Sequence, residues 1–133
     1  MKKRIKVKLC ASQSRFVLQS HHASHRHYDF RLEKFGTLKS WAVPKGLPTK
    51  VGEKRLAIQT PNHPLSYISF EGRIPMGEYG AGTVSIADYG CYEPKIWNEH
   101  KIEFILHGKK YKGKYIMVAF GRYGQWLIIK GND

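Results

Sequence analysis

The segment HYDFRLE, His27–Glu33, alternates strictly: His27, Asp29, Arg31 and Glu33 fall on one side of an extended chain, and Tyr28, Phe30 and Leu32 on the other. A period of two over this length marks a strand with unlike faces. The pattern recurs in TLKSWAVP (37–44), RLAIQT (55–60), TVSIADYG (83–90), KIEFILHG (101–108), KYIMVAFG (114–121) and QWLIIK (125–130), which are separated by breaks containing Gly or Pro. Phe35-Gly36 reads as a turn and HGKKYKGKY (107–115) as the crossing of a basic hairpin. The helical competitor is the stretch around 95–101. The expectation is an all-β fold: a compact, mainly antiparallel, closed β-barrel with little helix, because closure satisfies the strand edges. Its concave mouth is where polar side chains are expected to converge.

A chain of 133 residues suits a single domain, 1–133, with residues 1–15 read as a mobile basic N-terminal segment. Lys and Arg number 23 against 10 Asp and Glu, a formal charge of +13 that favours a polyanionic partner, above all nucleic acid. The basic residues run from Lys2 to Lys130 and line no single amphipathic helix, which argues against a membrane surface. Lys6 and Lys8 interrupt any signal-peptide core at the N-terminus, and no stretch approaches the roughly 20 apolar residues of a membrane span. The expected location is the cytoplasm. Cys10 and Cys91 are too few and too far apart in sequence for a zinc knuckle or a disulfide framework, and read as reduced thiols.

The chemistry concentrates in SHHASHRHYDFRLE, where histidines at 21, 22, 25 and 27 run into Asp29 and Arg31. Same-face neighbours on a strand lie about 6.5 to 7 Å apart, so His27 and Asp29 can lean toward one ion. A bend in HASHR can return His21 to them. Two imidazoles and a carboxylate suit a divalent transition metal with coordination positions left open. The competing reading is a solvated strand face, where polar alternation is ordinary; the succession His, Asp, Arg argues against it. A zinc-protease helix would need Glu after its first histidine, and HHASH has His22 there. Lys45, Arg55, His63 and Tyr67 fall in or near turns and can together supply a phosphate pocket, Arg as a fork of donors and Lys as a point charge. His63 can donate to a phosphate oxygen or protonate a leaving group. MGEYGAGTV lacks the Gly-Lys-Ser/Thr ending and following helix of a phosphate-cradling loop, so its glycines read as tight turns before a strand. Trp41 and Trp126 read as core.

FVLQSHHASHRHYDFRLE, LKSWAVPKG, KRLAIQTPNHPLSY, FEGRIPMGEYGAGTVSIADYG and QWLIIKGND together resemble the phosphoesterase domain of bacterial DNA ligase D and its stand-alone relatives, from Phe16 to Asp133. The resemblance implies a β-barrel hydrolase that heals 3′ ends. It would remove a 3′-terminal ribonucleoside in a phosphodiesterase step and the remaining 3′-phosphate in a phosphomonoesterase step, leaving a 3′-hydroxyl for repair and ligation. It implies dependence on manganese, with zinc or cobalt as alternative ions. Carried onto matching positions, it assigns the metal to His21, His27 and Asp29, the substrate phosphate to Arg31, Lys45, Arg55, His63 and Tyr67, and a supporting place to Glu33. The implied partner is a DNA primer-template ending in a 3′-ribonucleotide or 3′-phosphate, with ligase, polymerase and end-binding protein as separately encoded companions. Pro61 and Asn62 stand where relatives commonly carry an acidic pair, Ser20 replaces a usual Lys, and the N-terminal extension of larger members is short. The step expected to be weakened is ribonucleoside removal. Two rival classes are a non-catalytic barrel binding single-stranded nucleic acid, and a structural zinc module with a closed four-ligand site.

Overall fold

The computed structural model describes residues 14–132. The basic segment expected at 1–15 therefore lies, through residue 13, outside the described residues; Ser14 is buried and Arg15 opens the first strand. The strands are β1 (Arg15–His22), β2 (Arg26–Lys34), β3 (Thr37–Val43), β4 (Lys54–His63), β5 (Gly72–Ile74), β6 (Gly82–Trp97), β7 (Lys101–Gly108), β8 (Lys112–Ala119) and β9 (Gln125–Lys130). Pairing runs β1-β2-β3-β4-β9-β8-β7-β6 and returns from β6 to β1, so eight of the nine strands close a barrel, antiparallel throughout. Closure depends on the length of β6. Its first part, Thr83–Cys91, pairs with β1, and Gly90–Trp97 pairs with β7, while the short β5 adds to its beginning.

Alternation sorts the side chains into two apolar clusters. Phe16, Leu18, Phe30, Leu32 and Trp41 meet Phe104, Met117, Trp126 and Ile128 inside the barrel. The opposite face of the same wall carries Val17 and Leu38, covered by Ile68, Leu65 and Tyr67 from a 3-10 helix, Leu65–Ser69. Both faces of β2 are thus buried, and Asp29, Arg31 and Glu33 are only 7%, 4% and 4% exposed. The alternative of a solvated strand face does not hold. The polar row also does not stand in the barrel mouth: it lies on the outer wall, beneath the excursion between β4 and β6.

Two further expectations are corrected, and one strand is added to those read from the sequence. The helix competitor at 95–101 is strand and turn, because Trp97 pairs with Ile102 and the Asn98 side chain accepts the backbone N–H groups of His100 and Lys101. RFVLQSHH is a strand, β1, although its polar second half hides the alternation. Cys91 is disulfide-bonded, contrary to the reduced-thiol reading, and Cys10 lies outside the described residues. The hairpin at 107–115 is present, and the buried Asp88 carboxylate accepts the backbone N–H groups of Lys109, Lys110 and Tyr111 at its turn. Among the described residues no helix is long and apolar enough to cross a membrane.

Gly82 fixes the place where the excursion rejoins the barrel. Its φ is +136°, and a Cβ there would sit 2.1 Å from the backbone oxygen of His22, at the end of the strand that carries His21. Gly82→Ala is expected to destabilise the protein by about 2 to 4 kcal/mol, through strain and a displaced β1–β6 edge; the shift in urea midpoint measures it.

Candidate active site

Cross-strand register assembles the site. Antiparallel pairing of β1 with β2 sets His21 opposite His27, Gln19 opposite Asp29 and Val17 opposite Arg31, all facing outward. On the other side of β2, Arg31 faces Ser40 and Asp29 faces Ala42 of β3, and Ser40 in turn faces Thr60 of β4. Side chains directly opposite on one face approach within about 4.5 to 5.5 Å at Cβ, so four strands deliver their polar groups to one place without a loop having to position them. The resulting open cavity of about 470 Å³ is lined by His21, His27, Asp29, Arg31, His63 and Tyr67, with Tyr79 and Gly80 from the excursion.

Asp29 is the centre. His21 Nδ1 lies 3.2 Å from its Oδ2 and His27 Nε2 lies 3.3 Å from its Oδ1. The other ring nitrogens are already engaged: His21 Nε2 donates to the Gly80 carbonyl at 2.7 Å and His27 Nδ1 to the His25 carbonyl at 3.2 Å. Only an N–H can satisfy those carbonyls, so each ring turns its remaining nitrogen to the carboxylate. The three groups face one another closely enough to hold a cation among them. One ligand atom from each residue can be chosen so that all lie within 4.8 Å of one another, and each imidazole stands 3.2 or 3.3 Å from a different oxygen of Asp29, a spacing like that of neighbouring ligands of one ion at bond lengths of about 2.1 Å. The donor set fits a divalent transition metal.

Arg31 is the second fixed element. Its Nε donates to Gln19 Oε1 at 2.7 Å, and its Nη1 to Ser40 Oγ at 2.8 Å and to His63 Nδ1 at 3.0 Å. Its Nη2 stands 3.7 Å from Asp29 Oδ2, with no closer partner among the described residues. Burial lowers its pKa, and Asp29 opposes that shift. Gln19 is itself held, donating to the carbonyls of Tyr67 at 3.3 Å and Phe70 at 3.2 Å. The Tyr67 ring lies 5.0 Å from the guanidinium carbon and 4.5 Å from the His63 ring. Burial raises the Tyr67 pKa, so its hydroxyl remains a donor. Burial, together with the Arg31 charge, lowers the pKa of His63.

The structure therefore brings together His21, His27, Asp29, Arg31, His63 and Tyr67. Lys45, Arg55 and Glu33 stand elsewhere. Arg55 is salt-bridged to Glu53 at 2.8 Å and donates to the Lys45 carbonyl, while Lys45 itself is exposed. Arg55 and the fixed hydrogen bonds from Thr49 and Lys50 hold the Glu53 carboxyl down at about 2. Lys45 and Arg55 adjoin Gly46, which lies against the ring of Tyr28, one residue beyond His27. Glu33 is locked to Arg15 at 2.6 and 3.0 Å. Sequence reasoning missed Gln19, Ser40, Thr60, Tyr79 and the Gly80 carbonyl. Once β1 is recognised as the partner of β2, the register alone points to Gln19.

Comparison with known proteins agrees with this geometry. Residues 19–119 match the family described as the DNA ligase D 3′-phosphoesterase domain. The chain belongs to that family. It is 44% identical over 127 residues, 90% of its length, to the multifunctional non-homologous end joining protein LigD of Pseudomonas aeruginosa. It is 51% identical over 107 residues, 77% of its length, to the multifunctional non-homologous end joining DNA repair protein LigD of Mycobacterium tuberculosis. For LigD of Mycolicibacterium smegmatis the identity is 43% over 133 residues, 92% of the chain. The chain spans 15%, 14% and 17% of the length of these relatives. Membership of that phosphoesterase-domain family places the chain among hydrolases acting on phosphate esters.

The lowered His63 pKa has a defined consequence for stability. The unfolded chain binds the His63 proton more readily than the folded one, so stability present above pH 6.5 is lost as pH falls below that value. His63→Gln is expected to flatten part of that acid limb, read as the difference between the variants' urea midpoints from pH 7.5 to 5.

Proposed function

We propose that this protein is a manganese-dependent DNA 3′-end-healing phosphoesterase. It removes a 3′-terminal ribonucleoside and a 3′-phosphate from a primer-template, leaving a 3′-hydroxyl, in the cytoplasm where the chromosome is repaired. The observation that carries this reading is the charge balance of the cavity. Asp29 is the single carboxylate among the residues that line it, and it faces a buried Arg31 and two metal-competent imidazoles. A divalent ion beside Arg31 and Asp29 gives a net surplus of about two positive charges, which a terminal phosphate dianion neutralises. Three protein donors, rather than four, also favour a catalytic over a closed structural site.

A divalent ion held by His21, His27 and Asp29 supplies Lewis-acid polarisation of a phosphoryl oxygen and a more acidic water. The remaining work belongs to the side chains. Arg31 presents Nη2 to the phosphate while its other nitrogens are tied to β1, β3 and β4, so its charge needs no reorganisation as negative charge builds up. His63 Nδ1 stands between Arg31 Nη1 at 3.0 Å and the Pro61 carbonyl at 3.2 Å, so Nε2 is the nitrogen left for substrate. Burial and the Arg31 charge lower its pKa, which disfavours it as the acid. Protonation of the leaving oxygen then falls to solvent or to the Tyr67 hydroxyl. Lys45 and Arg55, set apart around Tyr28, contact the duplex backbone rather than the scissile phosphate. Pro61 and Asn62 are exposed beside His63 and offer no carboxylate there, so 3′-phosphate release is expected to outpace ribonucleoside removal.

A labelled primer-template ending in one ribonucleotide or in a 3′-phosphate tests this directly. Trimming is expected with manganese and is lost on chelation. Arg31→Lys is expected to lower kcat/KM by about 10² to 10³, and His27→Ala to abolish trimming while binding of duplex persists. Trimming that survives His27→Ala would overturn the reading, and unfolding on chelation would favour a structural ion.

A further inference from the structure

The barrel mouth expected to hold the polar site holds aromatic rings instead. A cavity of about 830 Å³ opens there, bounded by the turns that follow β2, β6 and β8, with Trp41, Trp97 and Trp126 in its wall. The rings form a chain: Phe35 meets Trp97 edge-on at 6.2 Å, Trp97 meets Trp41 at 6.4 Å, and Trp41 meets Trp126 at 6.2 Å. Phe35 and Tyr123 at the rim are 70% and 96% exposed, a concentration of apolar surface that a folded chain rarely leaves in water without use. Cations frame it. Lys34 Nζ lies 5.1 Å from the Phe35 ring and 5.4 Å from Trp97, Lys39 Nζ lies 5.8 Å from Phe35, and Arg122 is in the lining. The indole N–H of Trp41, in a residue 2% exposed, has no hydrogen-bond acceptor among the described residues.

We propose that this mouth binds the unpaired bases of a single-stranded nucleic acid segment. A base offers a π-face to Phe35, Trp97 and Tyr123. Its phosphates meet Lys34, Lys39 and Arg122, the combination that single-strand sites use. An acidic peptide would answer the cations but leave the rings unstacked. An apolar helix would cover the rings but bury the ammonium groups unpaired. The surplus of +13 over the chain favours the polyanion. The inference rests on the proposed function in one respect: the unpaired segment held here would adjoin the duplex end held by the His21, His27 and Asp29 site, because the strand that carries that 3′ end is itself paired. Arg31 and Phe35 are four residues apart across the end of β2, roughly 13 Å, a span of a few nucleotides.

An oligothymidylate of about ten nucleotides, titrated into the intact protein while tryptophan fluorescence is followed, tests the inference. Quenching is expected, and Phe35→Ala combined with Tyr123→Ala, both at exposed positions, is expected to weaken binding about tenfold. Lys34→Ala with Lys39→Ala should reduce the salt slope by about two. Circular dichroism of each variant establishes that the barrel persists. Unchanged affinity in the Phe35/Tyr123 variant overturns the inference, as does quenching by an acidic peptide but not by the oligonucleotide. Hydrolysis is measured in parallel on the labelled primer-template. Quenching without hydrolysis in the unaltered protein counts against the proposed function alone, and hydrolysis without quenching against the mouth alone. His27→Ala should end hydrolysis and leave quenching in place.

Discussion

A guanidinium buried in the outer wall of a barrel has to be held from every side, and Arg31 is. Its bonds reach Gln19 on β1, Ser40 on β3 and His63 at the end of β4, with Asp29 beside it on β2 and the Tyr67 ring over it. Leaving such a charge unpaired in low dielectric costs several kcal/mol, so each partner is constrained by the same group. The 3-10 helix Leu65–Ser69 is held down partly for this reason: Gln19, which receives Arg31 Nε, donates its amide to the carbonyls of Tyr67 and Phe70. A change at Arg31 would therefore be felt in the strand pairing, in the cover and in the cavity together.

The same wall explains why the imidazoles are pre-set. His21 and His27 face each other across β1 and β2 with ring centroids 4.7 Å apart, and backbone carbonyls, not side chains, hold their outer nitrogens. Carbonyls do not titrate, so the ring orientations are fixed by the fold itself. The Gly80 carbonyl belongs to the excursion that re-enters the barrel at Gly82, where the backbone of His22 leaves no room for a side chain. The glycines of MGEYGAGTV thus serve the site by bringing a carbonyl to a histidine, with no phosphate-cradling role required of them.

The strand and its polar row were legible in HYDFRLE because period two is visible in residue type. Which face would be inside was not. Alternation distinguishes two faces but does not say that both are covered, and the cover comes from Leu65, Tyr67 and Ile68, which have no strand or helix period of their own. The mouth was a reasonable expectation for polar groups in any closed barrel, yet here inward-facing positions near that end are Trp41 and Trp126, and the polar positions face outward. β1 stayed hidden because its second half is polar on both faces, and Gln19 was missed with it. Asn98 ended the competing helix through two side-chain hydrogen bonds that composition does not reveal. Lys45 and Arg55 were read as cavity residues from their type, but Glu53 and the turn carbonyls claim the guanidinium of Arg55 first.

One strand therefore supplies two surfaces of different character. β2 turns Asp29 and Arg31 outward into a charged, covered wall, and runs on to Lys34 and Phe35 at an aromatic rim, roughly 13 Å farther. A duplex end that adjoins an unpaired segment would offer the same two characters, a charged terminal phosphate and, beyond it, bases with apolar faces. Rigid pairing of β2 with β1 and β3 along its length keeps the two surfaces at constant separation. A nucleic acid that engages both would be held in register by the barrel, so the position of the terminal phosphate relative to Asp29 would be set by stacking at a distance as well as by contacts at the phosphate itself.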